Sequence, residues 1–256
     1  MSAAEVWAEA LAAWALPEHV MASAQESPWI HPPEMFTLPS VIDLTPSHER
    51  AREAMPEAGS VLDVGCGGGV AAFALVPPAA HVIGVDHQGA MLEMFAASAA
   101  ERHVTCQTIE GLWPAVADQA PVADVVTCHH VVYNVAHIVP FLGALASHAR
   151  HRVVIEMPDR HPLSAMNAAW EHFWQLERPS TPTPEDLLGV LEEMGINATR
   201  ERFRASPRTE LDSERATHFL RIRLCLPASR EAEVRDYLAA QPAPGPRELS
   251  TIFFDV

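Results

Sequence analysis

Asp63 stands just ahead of a loop in which glycine fills four of five positions, Gly65-Cys66-Gly67-Gly68-Gly69. Glycine lacks a Cβ and tolerates positive φ, so such a loop lets backbone come close to a ligand. Twenty-one residues after Gly65, Asp86 closes the apolar run His81-Val82-Ile83-Gly84-Val85. A carboxylate there can accept two hydrogen bonds from ribose hydroxyls, and its charge strengthens both. A nucleotide-like cofactor is implied. Further on, His129 and His130 follow a third apolar run, with Tyr133 and Asn134 just beyond. Histidine is the side chain whose ordinary pKa best suits proton removal at neutral pH, and such a base is needed only when the attacking group holds its proton. Strand residues alternate in direction, so at most one of the two histidines should face the cleft.

The elements that must hold these residues alternate in type. Strands are predicted over 60–64, 81–85, 103–107, 123–128 and 152–157, with helices over 69–76, 89–101 and 137–148 between them. This alternation specifies a parallel sheet covered on both faces, with ligand beyond the carboxyl ends of the strands. Ahead of it, Val6, Trp7, Ala10, Leu11 and Trp14 recur at helical spacing over 3–16, and Pro17 ends the run. The proline-rich stretch 27–36 carries His31, a second base candidate. Together these read as a cap over residues 1–50, docked by its tryptophans or closing the acceptor pocket as a lid. The main domain is 51–256. After Pro158 come an amphipathic segment over 162–176, a helix over 184–195 capped by Thr183, a strand over 197–204, helices over 213–226 and 229–240, a stiff linker 241–246 and a last strand 251–256.

The dinucleotide fingerprint G-x-G-x-x-G counted from Gly65 puts Val70 in its sixth place, which fits poorly. The spacing Asp63-x-Gly65-x-Gly67-x-Gly69 instead resembles motif I of the Rossmann-like S-adenosylmethionine-dependent methyltransferases. Asp86-His87-Gln88-Gly89-Ala90-Met91-Leu92 is similar to that family's D-x-S-x-x-M-L, and 124–135 keeps the register of D-x-V-x-x-x-x-x-L-H-H-V with Tyr133-Asn134 in place of the usual His-His. The resemblance spans about 58–158. It implies a mostly parallel seven-stranded sheet with an antiparallel last strand, here with a helical insertion at about 213–240, and S-adenosylmethionine as cofactor with S-adenosylhomocysteine as product. It implies cofactor contacts from Asp63, Gly65, Cys66, Gly67, Gly69, Asp86, His87, Met91, Thr108, Ile109, Glu110 and His129. Asp63 is expected mainly to brace the loop. Where many relatives carry G-D-A-x-x-L-P, this chain reads Gln107-Thr108-Ile109-Glu110-Gly111-Leu112-Trp113-Pro114, so the adenine amino group falls to Thr108, Gln107, Glu110 or water. The acceptor side is expected to draw on His129, His130, Tyr133, Asn134 and His31.

Composition narrows the partners. The 256 residues are 48% hydrophobic, ample for one core, and carry a formal charge of -16. All 17 basic residues are arginines. An acidic surface repels phosphate backbones and anionic lipid, so nucleic acid and membrane are not expected as partners. The absence of lysine excludes Schiff-base chemistry and the Y-x-x-x-K pair of many dinucleotide oxidoreductases. Cys66, Cys106, Cys128 and Cys225 form no C-x-x-C pair, and no long apolar segment or basic leader is present, so a cytoplasmic protein is expected. Asp159 and His161 raise the question of a metal-assisted site, but they lack the paired acid and amide that a hard cation would want, and no metal is expected. The leading reading is a methyltransferase acting at oxygen or nitrogen of a small-molecule acceptor, as monomer or homodimer. The competing readings are a non-catalytic S-adenosylmethionine-binding module and an NAD(P)-dependent oxidoreductase.

Overall fold

A computed structural model describes residues 1–29, 38–39, 41–206 and 212–256. His31 lies outside the described residues. Seven strands form one sheet: β1 (Ser60–Val64), β2 (His81–Asp86), β3 (Thr105–Glu110), β4 (Ala123–His129), β5 (Ala149–Pro158), β6 (Thr199–Ala205) and β7 (Arg247–Asp255). Their order is β3-β2-β1-β4-β5-β7-β6, with the pairs from β3 to β5 parallel and β7 antiparallel to both neighbours. The expected sheet and its reversed last strand are both present.

The inner strands are apolar on both sides because both faces are covered. On one face Leu62, Val64, Val126, Val153 and Ile155 pack under Trp7 of α1 (Ala3–Ala12), Phe141 and Leu145 of α6 (Ile138–Ser147), and Leu187 and Leu191 of α8 (Pro184–Glu193). On the other, Val61, Val82, Val125 and Val154 meet Ala51 of α3 (Pro46–Glu53), Phe73 of α4 (Val70–Phe73), and Leu92 and Phe95 of α5 (Gly89–Glu101). A third apolar cluster joins Val20 of α2 (Glu18–Met21), Trp170 and Phe173 of α7 (Asn167–Trp174), Leu220 of α9 (Ser213–Arg223) and Val234 of α10 (Glu231–Ala239). The helical insertion between β6 and β7 therefore shares a core with α2 and α7.

Several boundaries differ from expectation for local reasons. The third strand begins at Thr105 rather than 103, because His103 adopts φ +54 and closes α5 with bonds from His103 N to Ala100 O and from Val104 N to Ala99 O. The helix expected over 69–76 is the four-residue α4. The segment 162–176 divides into a 3-10 turn, Pro162–Met166, and α7, which ends where Gln175 turns left-handed at φ +51. β7 starts four residues early, since Arg247 to Ser250 still pair with β6 at the sheet rim. Thr183 and Asp186 cap α8 as a box, and Gly195 follows its end at φ +74. α3 was not expected at all.

Candidate active site

The glycine loop leaves β1 at the carboxyl edge of the sheet. Gly65, Gly67 and Gly69 all take positive φ, at 72°, 49° and 95°. The loop is tied sideways to β2: Gly65 N and Cys66 N donate to Val85 O at 2.8 and 3.1 Å, and Gly67 N donates to Asp86 Oδ2 at 3.0 Å. Asp86 Oδ1 accepts from Gln88 N at 3.0 Å. His87 Nδ1 lies 3.4 Å from the same oxygen. An ionised carboxylate offers about four lone-pair positions, so Asp86 keeps capacity for a ligand hydroxyl, above all at Oδ2. The loop and its neighbouring acid thus suit a ribose-bearing ligand.

Asp63 does not line that surface. It is buried, accepting Ala72 N at 3.2 Å and Thr127 Oγ1 at 3.0 Å, and so pins α4 to β1 and β4. Burial pushes its carboxyl up to about 7, against the lowering by those two hydrogen bonds, with a further rise from Asp86. Asp63 was expected to brace the glycine loop and to touch the cofactor; it instead ties α4 to β1 and β4, because its oxygens are taken by Ala72 N and Thr127 Oγ1.

Across the same sheet edge, register aligns His129 of β4 with Glu156 of β5 and Glu156 with Thr251 of β7. Glu156 is buried beneath the start of α3, whose peptide dipoles favour an anion there. It accepts Thr45 Oγ1 at 3.1 Å and pairs with His130 Nε2 at 3.0 Å. Burial alone would raise this carboxyl, but the His130 hydrogen bond, the charges of His129 and His130 and a Ser47 hydrogen bond outweigh it, holding Glu156 well below the usual carboxylate range. His130 sits at φ +62 just past the strand, with its backbone N donating to Glu156 O at 2.8 Å. His48 Nδ1 accepts Thr45 N at 3.0 Å, and the His48 ring lies 5.4 Å from that of His129. Burial lowers His48, opposed by Glu156, and takes His129 down to about 3. Three imidazole nitrogens in this cluster, His48 Nε2, His129 Nε2 and His130 Nδ1, are buried with no hydrogen-bond partner among the described residues.

The sequence profile described as "Methyltransferase domain" matches residues 43–201, more than half of the chain and all of the site just described except Thr251. The chain belongs to the class I S-adenosylmethionine-dependent methyltransferase family. Its cofactor is S-adenosylmethionine, and Gly65, Gly67 and Asp86 have the form that cofactor requires. No curated protein sequence matches the chain. The methyltransferase fold is shared with the YcgJ protein of Bacillus subtilis, at 17% identity over 82% of this chain and 97% of that one, TM-score 0.55. It is shared likewise with magnesium protoporphyrin IX methyltransferase of Synechocystis PCC 6803, solved with bound S-adenosylhomocysteine, at 17% identity over 80% and 77%, TM-score 0.50. The [4+2]-cyclase SpnF also has this fold, at 15% identity over 81% and 78%, TM-score 0.52.

The methyltransferase's other predicted site residues divide. Cys66 is buried, and burial, with Asp63 and Asp86 nearby, pushes its thiol far up, leaving it inert. Met91 is buried, whereas His87, Thr108 and Glu110 are exposed around the ends of β2 and β3 and Ile109 turns inward. Gly89, Leu92, Glu93, Ala96, Thr108 and Glu110 line an open depression of about 330 Å³ beside them. Tyr133 and Asn134 lie in a 3-10 turn, Val132–Asn134, where Tyr133 is buried and Asn134 exposed. Tyr133 O pairs with His161 Nε2 at 3.2 Å, and Trp14 stacks on that ring at 4.3 Å between centroids. Burial takes His161 down to about 4, with Arg178 lowering it further and the Tyr133 bond opposing. Asp159 is spent on Arg200 at 2.9 Å and Ser250 at 2.5 Å. Among the described residues, no group of three His, Cys, Asp or Glu could hold a metal ion, and no helix is long and apolar enough to cross a membrane.

His48, Thr45 and Glu156 are functional candidates that sequence reading missed. Thr45-Pro46 carries the same cap signal as Thr183-Pro184, and Glu156 is an acid inside an apolar strand. Both signals were available.

These shifts make the fold sensitive to acid. His129, His161 and His48 have folded pKa values below the ordinary 6.5, so unfolding takes up protons on them as pH falls through 6.5. Asp63 works oppositely: its folded value near 7 exceeds the ordinary 3.8, so unfolding releases a proton between those limits. Three groups outweigh one, and each net proton taken up is worth about 1.4 kcal/mol per pH unit. The melting temperature should therefore fall steadily from pH 6.5 to pH 5 in calorimetry. A flat or rising profile over that window would contradict the burial of the histidines as neutral rings.

Proposed function

We propose that this protein transfers the methyl group of S-adenosylmethionine to an oxygen or nitrogen of a small-molecule acceptor by in-line displacement. The observation that carries the reading is the pairing, along one sheet edge, of a cofactor loop closed by Asp86 with a buried histidine cluster at the ends of β4 and β5. S-adenosylmethionine, when bound, supplies a methyl group made electrophilic by a sulfonium. Gly65 and Gly67 offer close backbone to it, and Asp86 offers its remaining lone pairs to the ribose. In this reading His130, beside Glu156, holds a proton, and Tyr133 and Asn134 position the acceptor. Positioning of reactants is worth up to roughly 7–11 kcal/mol, so most of the acceleration falls to these contacts. The formal charge of -16 favours a small acceptor over nucleic acid or a lipid surface, and the chain is proposed to act in the cytoplasm as monomer or homodimer.

Titration calorimetry tests the cofactor half. S-adenosylhomocysteine should bind with micromolar or tighter affinity, and NADH should give no heat. Asp86→Ala should weaken that binding by about 1.5–3 kcal/mol, the range for a hydrogen bond to a charged group. Unchanged affinity would remove Asp86 from the site, and NADH binding in place of S-adenosylhomocysteine would overturn the function.

A further inference from the structure

We propose that the methyl acceptor carries a carboxylate, and that Arg160 is the specificity-determining residue that grips it. This rests on the methyl-transfer reading above and narrows its acceptor.

The chain holds 33 acidic residues against 17 arginines, so an arginine seldom lacks an acid within reach. Even Arg204 and Arg215, with side chains 74% and 75% exposed, pair with Glu248 at 2.6 Å and with Asp212 at 3.4 Å. Arginines without an acid still bond elsewhere: Arg52 donates to Ala74 O at 2.7 Å and Arg178 to Ala15 O at 3.0 Å. Among the described residues, Arg160 is the one arginine whose side chain has no hydrogen bond, ion pair or aromatic contact. It stands exposed, two residues past the end of β5.

The acids at this corner are spent on other cations. Asp159 pairs with Arg200 at 2.9 Å and Arg202 at 3.4 Å, and Glu156 with His130 at 3.0 Å. The backbone is also fixed on both sides of Arg160. Asp159 N donates to Glu248 O at 3.1 Å and His161 N to Ser180 O at 3.0 Å. The His161 ring is held in turn by Leu163 N, Tyr133 O and Trp14. A rigid corner thus presents a free guanidinium, which is always ionised and whose planar fork matches a carboxylate at two points. One such cation balances the single charge of a carboxylate, whereas a phosphate dianion would want more than one.

The place of this charge selects the acceptor over the cofactor. β5 runs parallel to β4 and β4 to β1, so Arg160 emerges on the same sheet edge as the glycine loop. Two strand spacings, about 10 Å, separate β5 from β1, on the side away from Asp86. The bond from His161 to Tyr133 O joins the corner to the turn on which Asn134 is exposed. A chain of formal charge -16 repels an anion at long range, so an anionic acceptor needs a cation at the point of contact. A neutral acceptor would need none.

NMR titration of the ¹³C-labelled full chain, saturated with S-adenosylhomocysteine, reads this contact directly. The Cδ–H signal of Arg160 is identified by its loss in Arg160→Gln and followed as matched pairs are added: salicylate and salicylamide, anthranilate and anthranilamide, lactate and lactamide. At least one acid should shift that signal saturably, with a Kd of about 1 mM or below. Its amide should bind at least tenfold more weakly, as loss of a charge-assisted pair requires. Arg160 makes no contact that folding needs, so Arg160→Gln and Arg160→Lys should both fold. Arg160→Gln should bind the acid at least tenfold more weakly and the amide unchanged, followed on signals of the Tyr133 turn, and Arg160→Lys should recover part of the loss. Arg150→Gln removes the same charge at the opposite end of β5 and should alter neither, which separates contact from the field of the whole chain. S-adenosylhomocysteine affinity should stay within twofold of wild type throughout. With S-adenosylmethionine labelled in the methyl group, label should pass to an acid in preference to its amide; where none of the panel is turned over, the titration decides. Equal binding or labelling of acids and amides would overturn the proposal, as would no shift with any acid, or a shift with phenyl phosphate alone. A tenfold loss of S-adenosylhomocysteine affinity in Arg160→Gln would also overturn it, by placing Arg160 on the cofactor. Failure of the wild type to bind S-adenosylhomocysteine would instead sink the methyl-transfer reading, while the acid titration would still report whether Arg160 takes a carboxylate.

Discussion

Gly69→Ala should destabilise the protein by roughly 2–5 kcal/mol and weaken S-adenosylhomocysteine binding at least tenfold. Two costs combine. Gly69 sits at φ +95, left-handed backbone that costs an L-residue about 1–2 kcal/mol. An added Cβ would also lie 2.3 Å from Cε2 of Phe73 and 2.8 Å from Cδ2 of Phe95. Those two rings pack at a centroid distance of 4.9 Å, and Arg102 lies over the Phe73 ring at 5.2 Å, so neither can retreat freely. Overpacking of this kind costs about 1–3 kcal/mol. Relief can come only by moving the loop, which carries Gly65 and Gly67 with it and slackens the bond from Gly67 N to Asp86. Gly143→Ala is the control: it lies within α6 with open space where the Cβ would stand, and should be neutral or stabilise by about 0.5–1 kcal/mol. Chemical denaturation and calorimetry on both variants check the pair. Wild-type stability and affinity in Gly69→Ala would mean the loop does not hold the conformation described.

The reading of the sheet from sequence succeeded where apolar runs and glycines carried the information. β1 and the register of the cofactor loop with Asp86 follow from the apolar run Val61-Leu62 and from glycines that local geometry demands. The acceptor side was less legible because its scaffold is polar. α3 buries Ser47 and His48 against β5 and β7, with Ser47 Oγ 2.6 Å from Thr251 Oγ1, and only Ala51 of its inward face is apolar. A helix that docks through hydroxyls and an imidazole leaves no hydrophobic period to detect. Glu156 stands out as an acid in an apolar strand, but its partners do not follow from spacing: they are Thr45, about a hundred residues earlier at the cap of α3, and His130, just past the preceding strand. Sequence spacing located His129 and His130 but could not rank them. The distinction lies in one backbone angle, the left-handed turn that carries His130 to the carboxylate.

The same contrast bears on whether the first helix is a lid or part of the core, and Trp7→Ala separates the two. Trp7 is fully buried, packed among residues of β1, α6 and α8, and its indole N donates to Val135 O at 2.8 Å. Ser2 and Glu5 close the helix start as a capping box, and Ala3 N donates to the Glu193 carboxylate at 2.9 Å, fastening α1 along α8. A tryptophan so enclosed should cost about 3–5 kcal/mol on truncation to alanine, far more than a lid that opens in each cycle could contribute. Trp7→Phe divides that loss: most of the buried ring is kept, while Val135 O is left without its donor, for about 1–3 kcal/mol. Because Val135 follows directly on the turn bearing Tyr133 and Asn134, Trp7→Phe should also loosen the acceptor side, raising KM for the acceptor with little change in S-adenosylhomocysteine affinity. Denaturation curves in which Trp7→Ala costs under about 1 kcal/mol would return α1 to the role of a detachable cover.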